Sequence, residues 1–328
     1  MNIMILGAAG MIGRKLAVAL QSDNQLSSSS DKLILHDVVM PDIVPGHMAC
    51  ETLSGDLSDP AQAARLADMR PDIVFHLASI VSGDAERDFD KGWQVNMRGG
   101  WHLIHALRAR HDESDCSYRA KVIFASSIAI FGPPYPEAID DEFLAAPQTS
   151  YGTQKVMMEY LIADYARKGF IDGLSIRLPT ICVRPGKPNA AASSFFSGII
   201  REPLNGEQAI LPVPVSVRHW HASPRSAVGF LIQSALLDES HLAGRRALNM
   251  PGVSCTVEEQ IEALRDAAGE AVIALIKPQP DEQIMAIVKS WPQNFNPARA
   301  TALGFTAESN FSDIIRIYKE DDFSPAQR

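Results

Sequence analysis

Asn2 to Leu6 is a short apolar run, followed at once by Gly7, Gly10 and Gly13 and then by helix-forming residues from Lys15 to Leu20. An apolar run of this length fits a strand buried on both faces of a parallel sheet. The glycines permit a tight turn, let the backbone approach a pyrophosphate, and let the helix pack closely on the strand. Free N–H groups and the positive end of the helix then face the phosphates. The feature therefore commits the start of the chain to a strand–turn–helix unit. Gly7, Gly10, Met11, Ile12 and Gly13 are its candidate contacts to a dinucleotide. The spacing is G-x-x-G-x-x-G, not the commoner G-x-G-x-x-G.

The next strand signal, Lys32 to Asp37, is apolar and ends in a carboxylate 24 residues beyond Gly13. An acid there can accept hydrogen bonds from the adenosine ribose hydroxyls and repels a 2′-phosphate, so Asp37 points to NAD over NADP. Ser27 to Ser30 reads as a surface loop between helix and strand. Further strand signals lie at Glu51 to Ser54, Ile73 to Leu77, Lys121 to Ala125 and Leu174 to Leu178. Helical stretches at Asp59 to Met69, Trp93 to Arg110 and Tyr151 to Lys168 separate them. This alternation predicts an α/β fold with a Rossmann-type, doubly wound parallel sheet. Ligands of such sheets sit beyond the carboxyl ends of the strands. Asp37, Asp56, Ser79, Ser127 and the loop after Leu178 all fall there.

Near Pro179 the alternation gives way to proline-punctuated segments, with Pro185, Pro188, Pro203, Pro212 and Pro214 demanding loops and short elements. Helices resume at Arg225 to Leu237 and at Thr256 to Ala268. We expect a nucleotide-binding domain over 1–178 that also carries the catalytic residues. A smaller, mainly substrate-binding region, partly interleaved with it, is expected over 179–328.

Tyr151 and Lys155 are four apart, and Tyr151 stands 24 residues after Ser127. On a helix the two share one face. The ammonium then favours the ionised phenol and lowers its pKa from about 10. That makes Tyr151 a candidate general base or acid near neutral pH.

The formal net charge of −9 disfavours a nucleic-acid surface or an anionic membrane as partner. Cys50, Cys116, Cys182 and Cys255 are scattered without a C-x-x-C pair, so neither a metal site nor a disulfide framework is expected. The chain opens directly on a strand and holds no apolar run of membrane-spanning length. A cytoplasmic setting is the expectation.

With these residues in hand, the chain resembles the extended short-chain dehydrogenase/reductase family over nearly its full length. The matching motifs are the Gly7, Gly10, Gly13 turn, Gly55-Asp56-Leu57, His76-Leu77-Ala78-Ser79, Asn96, Ser126-Ser127 through Gly132, the Tyr151 and Lys155 pair, and Leu303-Gly304-Phe305. The resemblance implies that Asp56 and Leu57 flank the adenine and that Leu77, Ala78 and Ser79 line the cofactor. It also puts Asn96 among the cofactor contacts and has Lys155 bond the nicotinamide ribose. Ser127 would hold the substrate oxygen while Tyr151 takes or returns its proton. Ser127 then orients the substrate and bonds developing charge on that oxygen.

Departures from the family pattern bear on the substrate. Nucleotide-sugar members usually show R-L-x-N-V-Y-G-P after this strand, where this chain has Arg177-Leu178-Pro179-Thr180-Ile181-Cys182-Val183-Arg184-Pro185. Their later R-D-F/Y segment is replaced by Arg218-His219-Trp220-His221. Ser127 is followed by Ile128 and Ala129 where dehydratases commonly carry acids. Arg184, Lys187, Arg218, His219, His221 and Arg225 instead bring cations to the two segments that line the substrate cleft in relatives. Arginine's planar fork suits a carboxylate, so a small anionic polyol is expected, with Arg184 as first choice for its carboxylate. The segment from Arg177 through Asn189 is similar to that of family members oxidising the C2 hydroxyl of a four-carbon sugar acid with NAD. The alternatives are a nucleotide-sugar 4-epimerase with tightly bound NAD and a non-catalytic nicotinamide sensor, although such sensors typically lack the tyrosine–lysine pair. A homodimer built on a four-helix bundle is a further expectation. Leu103, Ile104, Leu107, Met157, Leu161 and Tyr165 are candidates either for that interface or for the core.

Overall fold

The computed structural model describes residues 1–186 and 191–323. Lys187 and Asn189, singled out above, lie outside the described residues. Among the described residues the strands are β1 (Asn2–Leu6), β2 (Lys32–Asp37), β3 (Ala49–Ser54), β4 (Ile73–His76), β5 (Lys121–Ser127), β6 (Asp172–Leu178), β7 (Thr180–Ile181), β8 (Ala209–Leu211), β9 (Arg218–Ala222), β10 (Ala247–Asn249), β11 (Val253–Thr256) and β12 (Ile276–Pro278).

Seven form one sheet in the order β10-β6-β5-β4-β1-β2-β3, every neighbouring pair parallel. The order reverses between β1 and β4, which is where ligands of doubly wound sheets bind. Both faces of the sheet are covered, and β1 accordingly buries Ile3 to Leu6 on both sides. On one face the helix Met11–Ser22 presents Gly13, Leu16, Ala17 and Leu20, spaced to one side of a helical wheel. The helix Pro224–Leu236 covers the same face, starting with a Ser223 cap and Pro224 in its first turn. On the other face lie the helices Pro60–Asp68, Gly100–Glu113 and Ser150–Arg167.

One expected helix is modified. Trp93 to Arg110 is not a uniform α-helix: Trp93–Gly99 is a π-helical turn that runs into the α-helix Gly100–Glu113. Such turns gather at functional sites, and this one carries Asn96 inward. Leu103, Ile104 and Leu107 point into the sheet core with at most 1% exposure, so they belong to the interior and not to a dimer face. Leu161 and Tyr165 pack against the same core, half-buried.

A second core is built after residue 181. Val183, Phe196, Ile199, Val257, Leu264 and Ile314 cluster there, beside the short sheets β11-β9-β7 and β12-β8. The helix Val257–Ala268 opens on a capping box between Thr256 and Glu259. The later part of the chain also returns to the large sheet, where β10 pairs with β6 and Phe230, Leu231 and Phe305 join its core. Among the described residues no helix is long and apolar enough to cross a membrane.

Candidate active site

A cavity of about 500 Å³ opens at the carboxyl ends of β1, β4 and β5 and extends to the loop after β6. Gly7, Gly10, Met11, Ile12, Gly13, Leu77, Ser79, Ser127, Tyr151, Lys155 and Arg184 all line it.

The glycine turn is shaped by close approach. Gly7 has φ +86°, the left-handed region that glycine enters without steric cost. A Cβ at Gly7 would come within 2.7 Å of the Ala78 nitrogen, and one at Gly13 within 2.3 Å of the Gly7 oxygen. The turn thus packs backbone against backbone at the start of the helix Met11–Ser22, where Gly10, Met11 and Ile12 line the cleft. Asp37, half-buried at the end of β2, accepts the Ala9 N–H at 2.9 Å and so braces the turn. These residues fit a dinucleotide: a bare helix N-terminus for its phosphates and a carboxylate for its ribose.

Other expected cofactor residues sit outside the cavity wall. Asp56 is exposed just after β3, its carboxylate accepting the Ser58 N–H. Leu57 is buried in the core, and Ala78 packs against that core half-buried. Asn96 does not line the cleft. Its Oδ1 accepts from Ser79 Oγ at 3.0 Å and Ile80 N at 2.8 Å, while its Nδ2 donates to Gln154 Oε1 at 2.8 Å. Asn96 thus holds the loop after β4 in place from behind.

The helix Ser150–Arg167 starts where Thr149 accepts the Gly152 N–H, a cap worth about 1 kcal/mol. Its 3.6-residue period stacks Tyr151, Lys155 and Glu159 along one face. Lys155 is 3% exposed. Its ammonium donates to the Ala125 carbonyl at 2.8 Å and lies 4.6 Å from the Phe124 ring centre and 5.4 Å from that of Tyr151. Burial brings its pKa down to about 7, opposed by the Glu159 carboxylate. Glu159 is buried as well, accepting from Ser126 Oγ and holding the Arg177 guanidinium at 2.8 Å.

Tyr151 departs from the sequence expectation. Burial raises the phenol's pKa. The hydroxyl of Ser127, the guanidinium of Arg184 and the hydroxyl of Ser79 all favour its ionised form but do not outweigh burial. Ser127 ends β5, where its Oγ accepts the Ala129 N–H and caps a short 3₁₀ turn.

The expected cluster of cations disperses. Among the described members, Arg184 and His219 reach the cavity. Arg218 pairs with Glu259 and Arg225 with Glu320 and Asp321, both at the surface. His221 is buried against Gln260, and burial holds it neutral. On β9, alternation turns Arg218 to the face opposite His219; His221 shares the face of His219, its ring 5.3 Å away, but is taken up by Gln260. Arg184 donates to the Ile181 carbonyl at 2.9 Å and to Ser193 Oγ at 2.7 Å. Among the described residues no carboxylate pairs with it. His219 lies between the Thr180 hydroxyl at 2.7 Å and the Pro292 carbonyl at 2.9 Å. Arg201, Ser193 and Trp291 also line the cavity. Sequence reasoning missed them because no local motif marks residues that only the fold brings together.

Known proteins bear on the chain as a whole. A model described as "NAD dependent epimerase/dehydratase family" matches residues 3–221. D-erythronate dehydrogenase of Cupriavidus necator is 43% identical over 326 residues, covering 98% of each chain. D-erythronate dehydrogenase of Haemophilus influenzae is 42% identical, covering 98% of this chain and all of its own. A crystal structure named as the nucleoside-diphosphate-sugar epimerase from Agrobacterium tumefaciens superposes with a TM-score of 0.93 at 54% identity, covering 98% of this chain and 94% of its own. A glycine turn at the sheet's reversal point, full-length likeness and the matched model agree, and the chain belongs to the NAD dependent epimerase/dehydratase family, with an NAD-type cofactor.

Proposed function

We propose that this chain is an NAD-dependent dehydrogenase that oxidises a secondary hydroxyl of a small sugar acid, D-erythronate at C2 foremost. The observation that carries the reading is the half-buried Arg184 guanidinium, without a carboxylate partner among the described residues, in the same cavity as Ser127, Tyr151 and Lys155. A partly desolvated guanidinium with no carboxylate partner favours an anion beside it, and arginine's fork matches a carboxylate. The curated relatives named for D-erythronate support that choice.

When bound, a nicotinamide dinucleotide supplies the hydride acceptor and a positive ring close to the reacting carbon. Gly7 to Gly13, Asp37 and Lys155 would hold it, and residues 1–178 supply most of that site. Tyr151 takes the hydroxyl proton as the carbonyl forms. Ser127 positions the same oxygen and bonds its developing charge. Lys155 carries a proton that can pass to or from the phenol, since its pKa is brought near neutrality. Arg184 fixes the carboxylate, so the adjacent C2 hydroxyl faces Tyr151.

A second reading, a nucleotide-sugar epimerase that keeps its NAD, is favoured by the activity for which the similar Agrobacterium protein is named. One experiment separates the two. Purified protein is mixed with excess NAD and D-erythronate, then with UDP-glucose, and followed at 340 nm. Stoichiometric release of NADH with the acid supports the dehydrogenase. No NADH from any four- to six-carbon aldonate, with epimer formed from the sugar nucleotide, overturns it.

A further inference from the structure

The pair Thr180 and His219 fixes the direction of a hydrogen bond in the cavity wall. His219 is 2% exposed, and burial brings its pKa down to about 4, so the ring is neutral and carries one N–H. Its Nδ1 lies 2.9 Å from the Pro292 carbonyl, which can only accept. The proton therefore sits on Nδ1, and Nε2 is left with a lone pair. Thr180 Oγ1, 2.7 Å from Nε2, must then donate its single proton there. The ring cannot turn to escape this, being stacked on Phe196 at 5.4 Å and flanked by Trp291 at 5.0 Å.

Thr180 lines the cavity, and its oxygen, its proton committed to His219, has only lone pairs left to offer a ligand. We propose that Thr180, polarised by His219, is an acceptor-only subsite that takes the proton of a hydroxyl on the substrate's polyol tail and turns away carboxylate and carbonyl oxygens. Together with the donor-only guanidinium of Arg184, four residues further on, it gives the pocket a direction: carboxylate to Arg184, hydroxylated tail to Thr180. This inference deepens the sugar-acid reading above and rests on it.

The test uses the whole enzyme with three acids: D-erythronate, its 3-deoxy analogue and its 4-deoxy analogue. In the parent enzyme, kcat/KM falls on the order of tenfold for the analogue that lacks the bonded hydroxyl. In Thr180→Val, kcat/KM for D-erythronate falls by a similar factor and its advantage over that analogue shrinks toward one. Thr180→Ser restores the advantage. Equal loss of all three acids in Thr180→Val, or no discrimination in the parent enzyme, overturns the subsite while leaving the dehydrogenase reading intact. Absence of NADH from every acid in the parent enzyme overturns both. Independently of any substrate, nitrogen-15 NMR of His219 is expected to show a protonated Nδ1 and a bare Nε2 at pH 7. The opposite tautomer refutes the proposal even if the kinetics were favourable.

Discussion

Replacing Lys155 by methionine isolates the cost of keeping an ammonium in the interior. Methionine is also long and unbranched, and it can fill the space beside Phe124 without a charge. In the unfolded chain the lysine titrates near 10.5, and in the folded chain near 7. At about 1.4 kcal/mol for each pH unit between those values, the penalty on the folded state reaches about 5 kcal/mol at low pH. Its dependence on pH has a definite sign. Below about pH 7 both states are protonated and the full penalty stands. Above it the folded chain releases the proton while the unfolded chain still binds it, so the penalty declines until about pH 10.5. Parent enzyme and Lys155→Met are unfolded in urea, without dinucleotide, at pH 6, 7, 8 and 9. The parent's stability relative to the variant should rise by about 2–3 kcal/mol from pH 6 to pH 9. The loss of the bond to Ala125 shifts the variant equally at every pH and so drops out. A pH-independent difference would show that Lys155 is solvated or fully paired, and the account of how it exchanges a proton with Tyr151 would fail.

Four further outcomes are expected. Tyr151→Phe lowers kcat about 10²- to 10⁴-fold, with NAD affinity by calorimetry unchanged; retained turnover removes Tyr151 from proton transfer. Arg184→Ala raises KM for the sugar acid about 10- to 100-fold, the worth of a charge-assisted fork, and an unaltered KM refutes its role. Asp37→Ala reduces the preference for NAD over NADP about tenfold or more in kcat/KM, measured with both dinucleotides. Glu159→Gln leaves the nearly buried Arg177 without its anion and lowers unfolding free energy by about 3–5 kcal/mol; a change under about 1 kcal/mol would count against a buried ion pair.

Much of the fold was legible in the sequence because parallel strands buried on both faces are written as continuous apolar runs. The β1 run, the glycine turn and Asp37 lie within 37 residues, and local rules suffice for them. Ser127, Tyr151 and Lys155 were legible for the same reason, through a strand end and a helix period. The cation cluster was not. Four of its members are close in sequence on β9 and the following helix, but strand alternation turns Arg218 away and surface acids such as Glu259 and Asp321 pair with Arg218 and Arg225. The desolvation that raises the phenol's pKa was not legible, since i,i+4 spacing gives adjacency and says nothing of solvation. The Thr180 and His219 pair needs β7 beside β9, a pairing across 41 residues that no local pattern encodes.

The return of β10 and of the helix Pro224–Leu236 to the large sheet bears on synthesis. A ribosome extends the chain from its N-terminus, so residues 1–178 emerge well before Val228, Leu231 and Leu248, which cover one side of their sheet. Until those residues arrive, an apolar face and the open edge of β6 stay bare to other chains. Holdase chaperones have their widest opportunity in that interval, and expression of residues 1–178 alone should yield aggregate.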